Sequence, residues 1–179
     1  LERVYDHVFV DEVQDLVGFD LDVLDLLMGC RATVTMVGDP RQYTYSTNRL
    51  TKNKQYQGEG LLDWFRERAD RCDLEMRAES YRCNQAICDF ADSIYPGMPV
   101  TTSVGVVATG HDGIFRVPES EVSAYVSKHS PQVLRHDKNS DTIGLAAMNI
   151  GRSKGSTFDR VLLFPTKPML RFLKDGDAS

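Results

Sequence analysis

The chain has 179 residues, of which 41% are hydrophobic and 26% are charged, and this balance is typical of a globular protein with one large domain or two small ones. No apolar run approaches the roughly 20 residues that a membrane-spanning helix needs, and the first residues do not resemble a signal peptide. The net charge of −5 argues against a surface broadly covered with DNA-binding cations but leaves room for a local basic groove.

The four cysteines and four histidines show no metal-binding or disulfide pattern. The cysteines, Cys30, Cys72, Cys83 and Cys88, form no Cys-x-x-Cys pair, and the histidines are scattered. We interpret the cysteines as reduced thiols of a cytoplasmic protein, because disulfide frameworks belong to oxidising compartments. The chain does not begin with Met, so we expect a fragment of a longer protein.

The first predicted element is an apolar strand, Val4 to Val10, which is followed directly by the carboxylates of Asp11 and Glu12. An apolar run bounded by charge predicts a buried strand of a parallel sheet. Ligands of open α/β sheets bind at the carboxyl ends of the strands, so these carboxylates are predicted to lie beside a nucleotide. There Asp11 would hold Mg²⁺, and Glu12 would accept a proton from an attacking water. The alternative is a strand end whose acids only cap the next helix.

A second strand is predicted to bring further polar groups to the same edge. Apolar residues at a helical period between Phe19 and Met28 predict a helix that covers the sheet. The next strand, Ala32 to Val37, runs into Gly38-Asp39-Pro40-Arg41-Gln42. Glycine allows a tight turn there and proline ends the strand, so an acid and a Gln follow this strand too. The alternative is a plain turn.

The polar stretch from Tyr45 to Gly60 interleaves lysines with tyrosines. Such a loop can grip single-stranded nucleic acid by stacking and phosphate contact, although a solvated loop is the commoner explanation. A short helix is predicted around Leu61 to Phe65, with Trp64 in the core rather than stacked on a base.

Further along the chain, periodicity predicts several short elements. Alternating apolar and charged residues predict a strand with one buried face over 72–78. Asn84 is predicted to cap a helix that ends before Pro96. The buried stripe of this helix is predicted to consist of Ile87, Phe90, Ala91 and Ile94. The remaining predictions are strands at 114–117, 133–134, 143–150 and 158–164, helices around 122–126 and 169–173, and a basic turn at 151–156.

Four segments, taken in order, resemble motifs of the UvrD/Rep-like superfamily 1 DNA helicases. Val10 to Asp15 resembles motif II, and Val37 to Gln42 resembles motif III. Ser80 to Arg82, before a helix, resembles motif IV, and Ser153 to Val161 resembles motif V. The most specific part is the pair Asp-Glu-x-Gln-Asp and Gly-Asp-x-x-Gln, each after an apolar strand. The resemblance runs from about Val4 to Thr166.

The resemblance implies roles in ATP hydrolysis for the first two motifs. Asp11 would ligate Mg²⁺, and Glu12 would activate the hydrolytic water. Gln14 and Asp15 would couple the state of the nucleotide to the rest of the site. Gln42 would contact the γ-phosphate, and its loop would link ATP to the DNA track.

The other two motifs are implied to complete the site. Tyr81 would stack on the adenine, and Arg82 would reach the γ-phosphate like an arginine finger. The motif V loop would lie between the nucleotide and the DNA. The residues implied to bind the nucleotide are Gln14, Asp15, Asp39, Tyr81, Lys154, Gly155 and Thr157. The residues expected to contact nucleic acid are Tyr43, Tyr45, Arg152 and Ser153.

The chain departs from the family pattern at several positions. Thr47 stands where many relatives have a DNA-stacking Trp, Thr157 where motif V has a ribose-binding Glu, and Gly151 where that motif often has a His. No Gly-x-x-x-x-Gly-Lys-Ser/Thr occurs, so the phosphate cradle and its lysine are missing. The last motif of the family is missing too. We therefore expect a fragment that is inactive by itself.

The resemblance implies an α/β, RecA-like P-loop NTPase fold with parallel sheets flanked by helices in two partial lobes. Residues 1–79 would be the C-terminal half of the first RecA-like domain, and residues 80–179 would be part of the second. The implied parent is a cytoplasmic ATP-dependent DNA helicase, of the kind used in DNA repair, that moves on single-stranded DNA and unwinds duplex DNA. No membrane partner is expected.

Two alternatives stay open. In the first, the parent is a helicase-like subunit of a nuclease or phage-defence complex, which would give it a protein partner. In the second, it is a non-hydrolysing nucleic-acid-binding module. The joint presence of Asp11, Glu12, Gln42 and Arg82 speaks against the non-hydrolysing module.

Overall fold

Two parallel strands and the helix between them organise the first part of the chain. The computed structural model describes residues 3–43 and 52–175. Strand β1 (His7–Val10) pairs in parallel with β2 (Thr33–Met36), and helix α1 (Asp20–Met28) connects them. Two further hydrogen bonds, Val37 N to Val10 O at 2.9 Å and Val13 N to Val37 O at 3.1 Å, continue the pairing past both strand ends. The turns after β1 and β2 are therefore held side by side.

The remaining elements are as follows. After α2 (Gly60–Arg66) come β3 (Glu79–Ser80), α3 (Gln85–Ile94), β4 (Thr102–Ser103), α4 (Val122–His129), β5 (Gln132–Arg135), β6 (Met148–Asn149), α5 (Ile150–Ser153), β7 (Val161–Phe164) and α6 (Lys167–Asp175). The sheets are β1-β2, β3-β4 and the parallel β6-β5-β7. This mixture of helices with small parallel sheets agrees with the predicted α/β class. No helix among the described residues has the length and apolar character needed to span a bilayer.

The chain divides into two compact units. The first unit contains Leu1–Glu79 and Phe90–Thr101, and the second contains Ser80–Asp89 and Thr102–Ser179. Helix α3 therefore contributes its first five residues to the second unit and its last five to the first.

The core of the first unit lies between α1, α2 and one face of the β1-β2 sheet. Its buried members are Val13, Leu21, Leu24, Leu61 and Trp64, with Val10 and Met36 packed against them. The prediction that Trp64 belongs to the core is confirmed, because its side chain is only 1% exposed.

An ion-pair cluster joins α1 to the end of α2. The guanidinium of Arg68 donates to both carboxylate oxygens of Asp25, at 2.8 and 2.9 Å, and Arg71 donates to the same carboxylate. The guanidinium also lies over the Trp64 ring at 3.9 Å. The hydrogen bonds from Arg68 are the main reason that the pKa of Asp25 lies below its usual value.

An aromatic stack marks the second unit. The ring of His111 lies between Phe115, at a centroid distance of 4.2 Å, and His129, at 4.4 Å. Its Nε2 atom lies 3.1 Å from the Tyr125 hydroxyl. Arg160 donates to the His111 carbonyl at 2.9 Å. The stack joins the segment before α4 to α4 itself.

Several sequence predictions are wrong in detail. Strand β1 is not buried on both faces: Val8 and Val10 are half-buried, whereas Phe9 is 76% exposed, because the two-stranded sheet is covered on one side only. The chain is irregular over 72–78 and 114–117, and over 143–150 only Met148–Asn149 forms a strand.

The helix predicted after Asn84 is confirmed, but its buried stripe is only partly right. The Asn84 side chain accepts a hydrogen bond from the Ile87 amide at 3.0 Å and so caps α3. Cys88 is the buried residue of this helix, whereas Ile94 is 40% exposed. The four cysteines, all within the described residues, form no disulfide.

Candidate active site

The turn after β1 holds Glu12 in an unusual backbone conformation. Its φ and ψ angles of 54° and 39° lie in the left-handed region, which costs a residue with a side chain about 1–2 kcal/mol. The surrounding hydrogen bonds hold this turn, since Asp11 Oδ1 accepts from the Glu12 amide at 2.8 Å and the Glu12 carbonyl accepts from the Asp15 amide at 3.0 Å. Such strain persists only where the surroundings fix it, and it is often found at functional sites.

Gln14 joins the turn after β1 to the turn after β2. Its side chain is 1% exposed. Its Nε2 atom donates to the Glu12 carboxylate, and its Oε1 atom accepts from the Asp39 amide at 3.1 Å. A buried amide that lost either partner would cost about 1–3 kcal/mol, so both turns are held in register by one side chain. We call Glu12, Gln14 and the Asp39 amide the glutamine bridge.

Gly38 makes the glutamine bridge possible. A Cβ atom at this position would lie 2.5 Å from Gln14 Oε1 and 2.8 Å from Val13 Cγ2. Both distances are far below van der Waals contact, so only glycine lets the two turns approach this closely. The sequence predicted this glycine for a tight turn, but the structure gives it a packing role.

Asp39 organises the turn that follows β2. Its carboxylate accepts hydrogen bonds from the Arg41 amide at 3.1 Å, from Arg41 Nε at 3.0 Å and from Gln42 Nε2 at 3.0 Å. Pro40 opens the one-turn 3₁₀ helix Pro40–Gln42 that this carboxylate caps. Partial burial would raise the pKa of Asp39, but the hydrogen bonds from Arg41 and Gln42 outweigh it and hold the pKa below its usual value.

Arg41 extends the site to a distant part of the first unit. Its Nη1 atom donates to Asp92 Oδ1 at 3.3 Å and to Thr101 Oγ1 at 2.9 Å, and its carbonyl accepts from the Tyr95 hydroxyl at 2.9 Å. Sequence reasoning missed this network, because its partners lie 51 and 60 residues away and no local pattern marks them.

The predicted Mg²⁺ ligand, Asp11, lies in the turn that follows β1. Mg²⁺ is usually held by one or two carboxylates together with phosphate oxygens and water. Asp11 is exposed at the carboxyl end of β1, where its Oδ1 atom accepts a hydrogen bond from the Glu12 amide at 2.8 Å. The described residues contain no group of three or more His, Cys, Asp or Glu side chains that could enclose a metal by themselves.

Tyr81 and Arg82 lie in the turn between β3 and α3. The Tyr81 side chain is 75% exposed, and Ser80 Oγ accepts from the amides of Arg82 and Cys83, at 3.5 and 3.1 Å. Among residues 3–43 and 52–175, the Arg82 guanidinium makes neither an ion pair with Glu79 nor any other hydrogen bond. A structural ion pair between Arg82 and Glu79 is therefore not observed in the described part of the chain.

The segment predicted as a basic turn contains a single helical turn, α5. Ser153 Oγ donates to the Ile150 carbonyl at 2.8 Å, and the Ser156 amide donates to the Ser153 carbonyl at 2.9 Å. Gly155 has a φ of 76°, and a Cβ there would meet nothing within 4 Å. Arg152 and Thr157 are exposed, and Lys154 is half-buried.

The predicted site residues belong to both units, and the first unit brings one group of them together. The carboxyl ends of β1 and β2 gather Asp11, Glu12, Gln14, Asp15, Asp39 and Gln42 within the first unit. Tyr43 follows the same turn and is half-buried, whereas Tyr45 lies outside the described residues. Tyr81, Arg82, Arg152, Ser153, Lys154, Gly155 and Thr157 belong to the second unit.

The chain has a mixed α/β fold. Its carboxylates and buried Gln at the carboxyl ends of parallel strands form a candidate nucleotide site. Residues 1–57 match the family model described as the UvrD/REP helicase N-terminal domain, and the chain has 179 residues. The match covers β1, the glutamine bridge and the Asp39 turn, and it supports a UvrD-like helicase. No curated protein and no solved structure shows a significant match to the chain.

Proposed function

We propose that this chain is part of a RecA-like, UvrD-type motor that uses ATP hydrolysis to move on single-stranded DNA and to unwind duplex DNA. The observation that carries the proposal is the glutamine bridge. One buried side chain joins the Glu12 carboxylate to the turn that carries Asp39 and Gln42. The match of residues 1–57 to the helicase family model supports a UvrD-like helicase as the parent.

In this proposal Glu12 is the general base. The left-handed backbone and the hydrogen bond from Gln14 fix the direction of its carboxylate, which then accepts the proton of the attacking water. Gln42 contacts the γ-phosphate, and Gln14 relays its position to Glu12 through the Asp39 amide. Bound Mg²⁺, held by Asp11, would supply positive charge to the phosphates.

The second unit is proposed to contribute the remaining nucleotide and DNA contacts. The exposed Tyr81 ring stacks on adenine, and Arg82 neutralises charge that develops on the transferred phosphoryl group. The proposed nucleotide contacts of the loop after α5 are Lys154, Gly155 and Thr157. The proposed DNA contacts are Tyr43, Tyr45, Arg152 and Ser153.

The phosphate-binding lysine of such a motor is absent from the 179 residues. We therefore propose that the chain works within a longer protein that supplies it, and that the chain alone does not turn over ATP. The proposed setting is cytoplasmic DNA repair or defence, with a protein partner in such a complex.

The test is Glu12→Gln in the full-length protein that carries this sequence. The amide keeps the shape of the side chain, and its oxygen still accepts the hydrogen bond from Gln14, but it cannot take a proton from water. We expect ATP binding to be retained and DNA-stimulated turnover to fall about 10²–10⁴-fold. Equilibrium binding of a labelled nucleotide and steady-state phosphate release measure the two quantities.

The matched control is Glu119→Gln, an exposed glutamate of the second unit outside the proposed site. It should leave both quantities unchanged. Turnover of the Glu12→Gln protein at the wild-type rate would remove Glu12 as the base. DNA binding without any ATP turnover by the wild-type protein would favour the non-hydrolysing module instead.

A further inference from the structure

Arg41 makes contacts in two directions at once. Towards β2, its Nε and Nη2 atoms donate to the two carboxylate oxygens of Asp39, at 3.0 and 3.3 Å. Away from the sheet, its Nη1 atom donates to Asp92 Oδ1 at 3.3 Å and to Thr101 Oγ1 at 2.9 Å. The planar guanidinium can hold both partners, because its five N–H groups point outwards from a rigid plane.

Asp92 and Thr101, the partners of Arg41 away from the sheet, are hydrogen-bonded to each other. Asp92 accepts from the Thr101 amide at 2.6 Å and from the Thr101 hydroxyl at 2.8 Å. Thr101 is 7% exposed, and the Asp92 side chain is 14% exposed. The Tyr95 hydroxyl donates to the Arg41 carbonyl at 2.9 Å. Three residues from the Phe90–Thr101 segment therefore hold both the backbone and the side chain of Arg41.

Arg41 and Gln42 share one carboxylate. Asp39 Oδ2 accepts from Gln42 Nε2 at 3.0 Å and from Arg41 Nη2 at 3.3 Å. Without the Arg41 side chain, the Asp39 carboxylate would keep the bonds from the Arg41 amide and Gln42 but lose those from Nε and Nη2, so it would hold the Gln42 side chain less firmly. The orientation of Gln42 therefore depends on Arg41, although the two side chains do not bond to each other in the described structure.

We propose that Arg41 is a positioning residue that holds Gln42 in its working orientation by anchoring the Asp39 turn to Asp92 and Thr101. This role rests on the proposed function of Gln42 as the contact to the γ-phosphate. The network is partly desolvated, since the side chains of Arg41 and Asp39 are 24% and 27% exposed. It is therefore less screened by solvent than an ordinary surface ion pair.

The first experiment compares Arg41→Ala, Arg41→Lys and the control Arg66→Ala in the full-length protein. Arg66 belongs to the same unit, but its pair with Asp63 lies on the surface, with the two side chains 62% and 64% exposed. A misplaced Gln42 should lower kcat on the order of 10- to 100-fold while the KM for ATP changes little. Arg41→Lys should rescue kcat only in part, because one ammonium cannot reach both sides of the network.

Turnover is expressed per folded molecule, measured from the same preparation. A purely structural Arg41 would lower the folded fraction and leave kcat per folded molecule unchanged, and that result would overturn the proposal. Arg66→Ala should change neither quantity.

The second experiment does not require ATP turnover. In the 179-residue chain, the side-chain amide of Gln42 should show a shifted NMR resonance and slowed hydrogen exchange, because Asp39 holds it. Its resonance is assigned by its absence in Gln42→Glu. Both features should disappear in Arg41→Ala and persist in Arg66→Ala. If Gln42 stays protected in Arg41→Ala, the positioning role is wrong, whereas absence of turnover in the wild-type protein would contradict the proposed function alone.

Discussion

At the scale of single residues, the candidate site depends on a few side chains that do several things at once. Gln14 is buried, donates to the Glu12 carboxylate and accepts a hydrogen bond from the Asp39 backbone amide. Gly38 leaves the space that the Gln14 side-chain amide needs. The orientation of the Glu12 carboxylate is therefore set by its neighbours Gln14 and Gly38.

Gly38→Ala tests this dependence. The added methyl group would lie 2.5 Å from Gln14 Oε1 and 2.8 Å from Val13 Cγ2, so one of the two turns must move. Overpacking of this kind costs about 1–3 kcal/mol of unfolding free energy. The midpoint of chemical denaturation measures the loss.

Gly151→Ala is the matched control, because a Cβ there would meet nothing within 4 Å. Its denaturation midpoint should stay at or slightly above that of the wild-type chain, since alanine is the better helix former in α5. Equal midpoints for Gly38→Ala and Gly151→Ala would contradict the packing role of Gly38.

The sequence predicts which residues lie at the site better than it predicts the contacts that they make. Asp11, Glu12 and Asp39 follow apolar strands, and that local pattern predicts their gathering at one sheet edge. The Arg41 network has no such pattern, because Asp92 and Thr101 come from a helix and a loop far along the chain. Contacts between distant segments depend on tertiary packing, which periodicity does not encode.

At the scale of elements, helices are predicted more reliably than strands. The periods around α1, α2, α4 and α6 predict these helices, because each helix completes its own backbone hydrogen bonds. The alternation at 72–78 does not produce a strand, because a strand needs a partner. In the described part of the chain after α2, the first paired residues are Glu79–Ser80. Ile114 and Phe115 likewise remain about half exposed without a partner strand.

The cluster of Asp25, Arg68 and Trp64 links α1 to the end of α2, and Arg68→Lys tests it. Lysine keeps the charge but loses both the two-pronged hydrogen bond and the planar stacking on Trp64. We expect a loss of about 1–2 kcal/mol of unfolding free energy at neutral pH, measured by denaturation. Arg66→Lys, at an exposed pair, should cost almost nothing.

The same variant should change the acid limb of the stability curve. Hydrogen bonding to Arg68 lowers the pKa of Asp25 in the folded chain. Its stabilisation is therefore present above the unfolded value of about 3.9 and is lost as the pH falls through the lower, folded value. The wild-type chain should lose more stability on acidification than Arg68→Lys, and equal losses would contradict the assignment.

At the scale of the whole molecule, the two units should respond differently to mild acid. Partial burial, with positive charge on His111, Arg160 and Lys128, lowers the pKa of His129 in the second unit. Its stacked position therefore stabilises the unit fully above the unfolded value of about 6.5 and progressively less as the pH falls below it. Asp112 follows His111 in the chain, and its carboxylate accepts hydrogen bonds from Thr109 and from the Gly110 amide.

Amide hydrogen exchange measures this response segment by segment. Between about pH 7.5 and pH 5.5, after correction for intrinsic rates, residues 109–135 should lose protection in the wild-type chain. His129→Phe keeps a ring in the stack but cannot titrate, so it should remove the loss. His136→Phe, at an exposed position, should behave like the wild type. A loss of protection that persists in His129→Phe would rule out the stack as its cause.

The chain has a single tryptophan, and it is the deeply buried Trp64 of the first unit. Its fluorescence is therefore an optical signal from one unit alone, with the blue-shifted emission of an indole shielded from water. Circular dichroism at the peptide bond, by contrast, records both units. Comparing tryptophan fluorescence with circular dichroism therefore shows whether a ligand, a variant or a change of pH has affected the first unit.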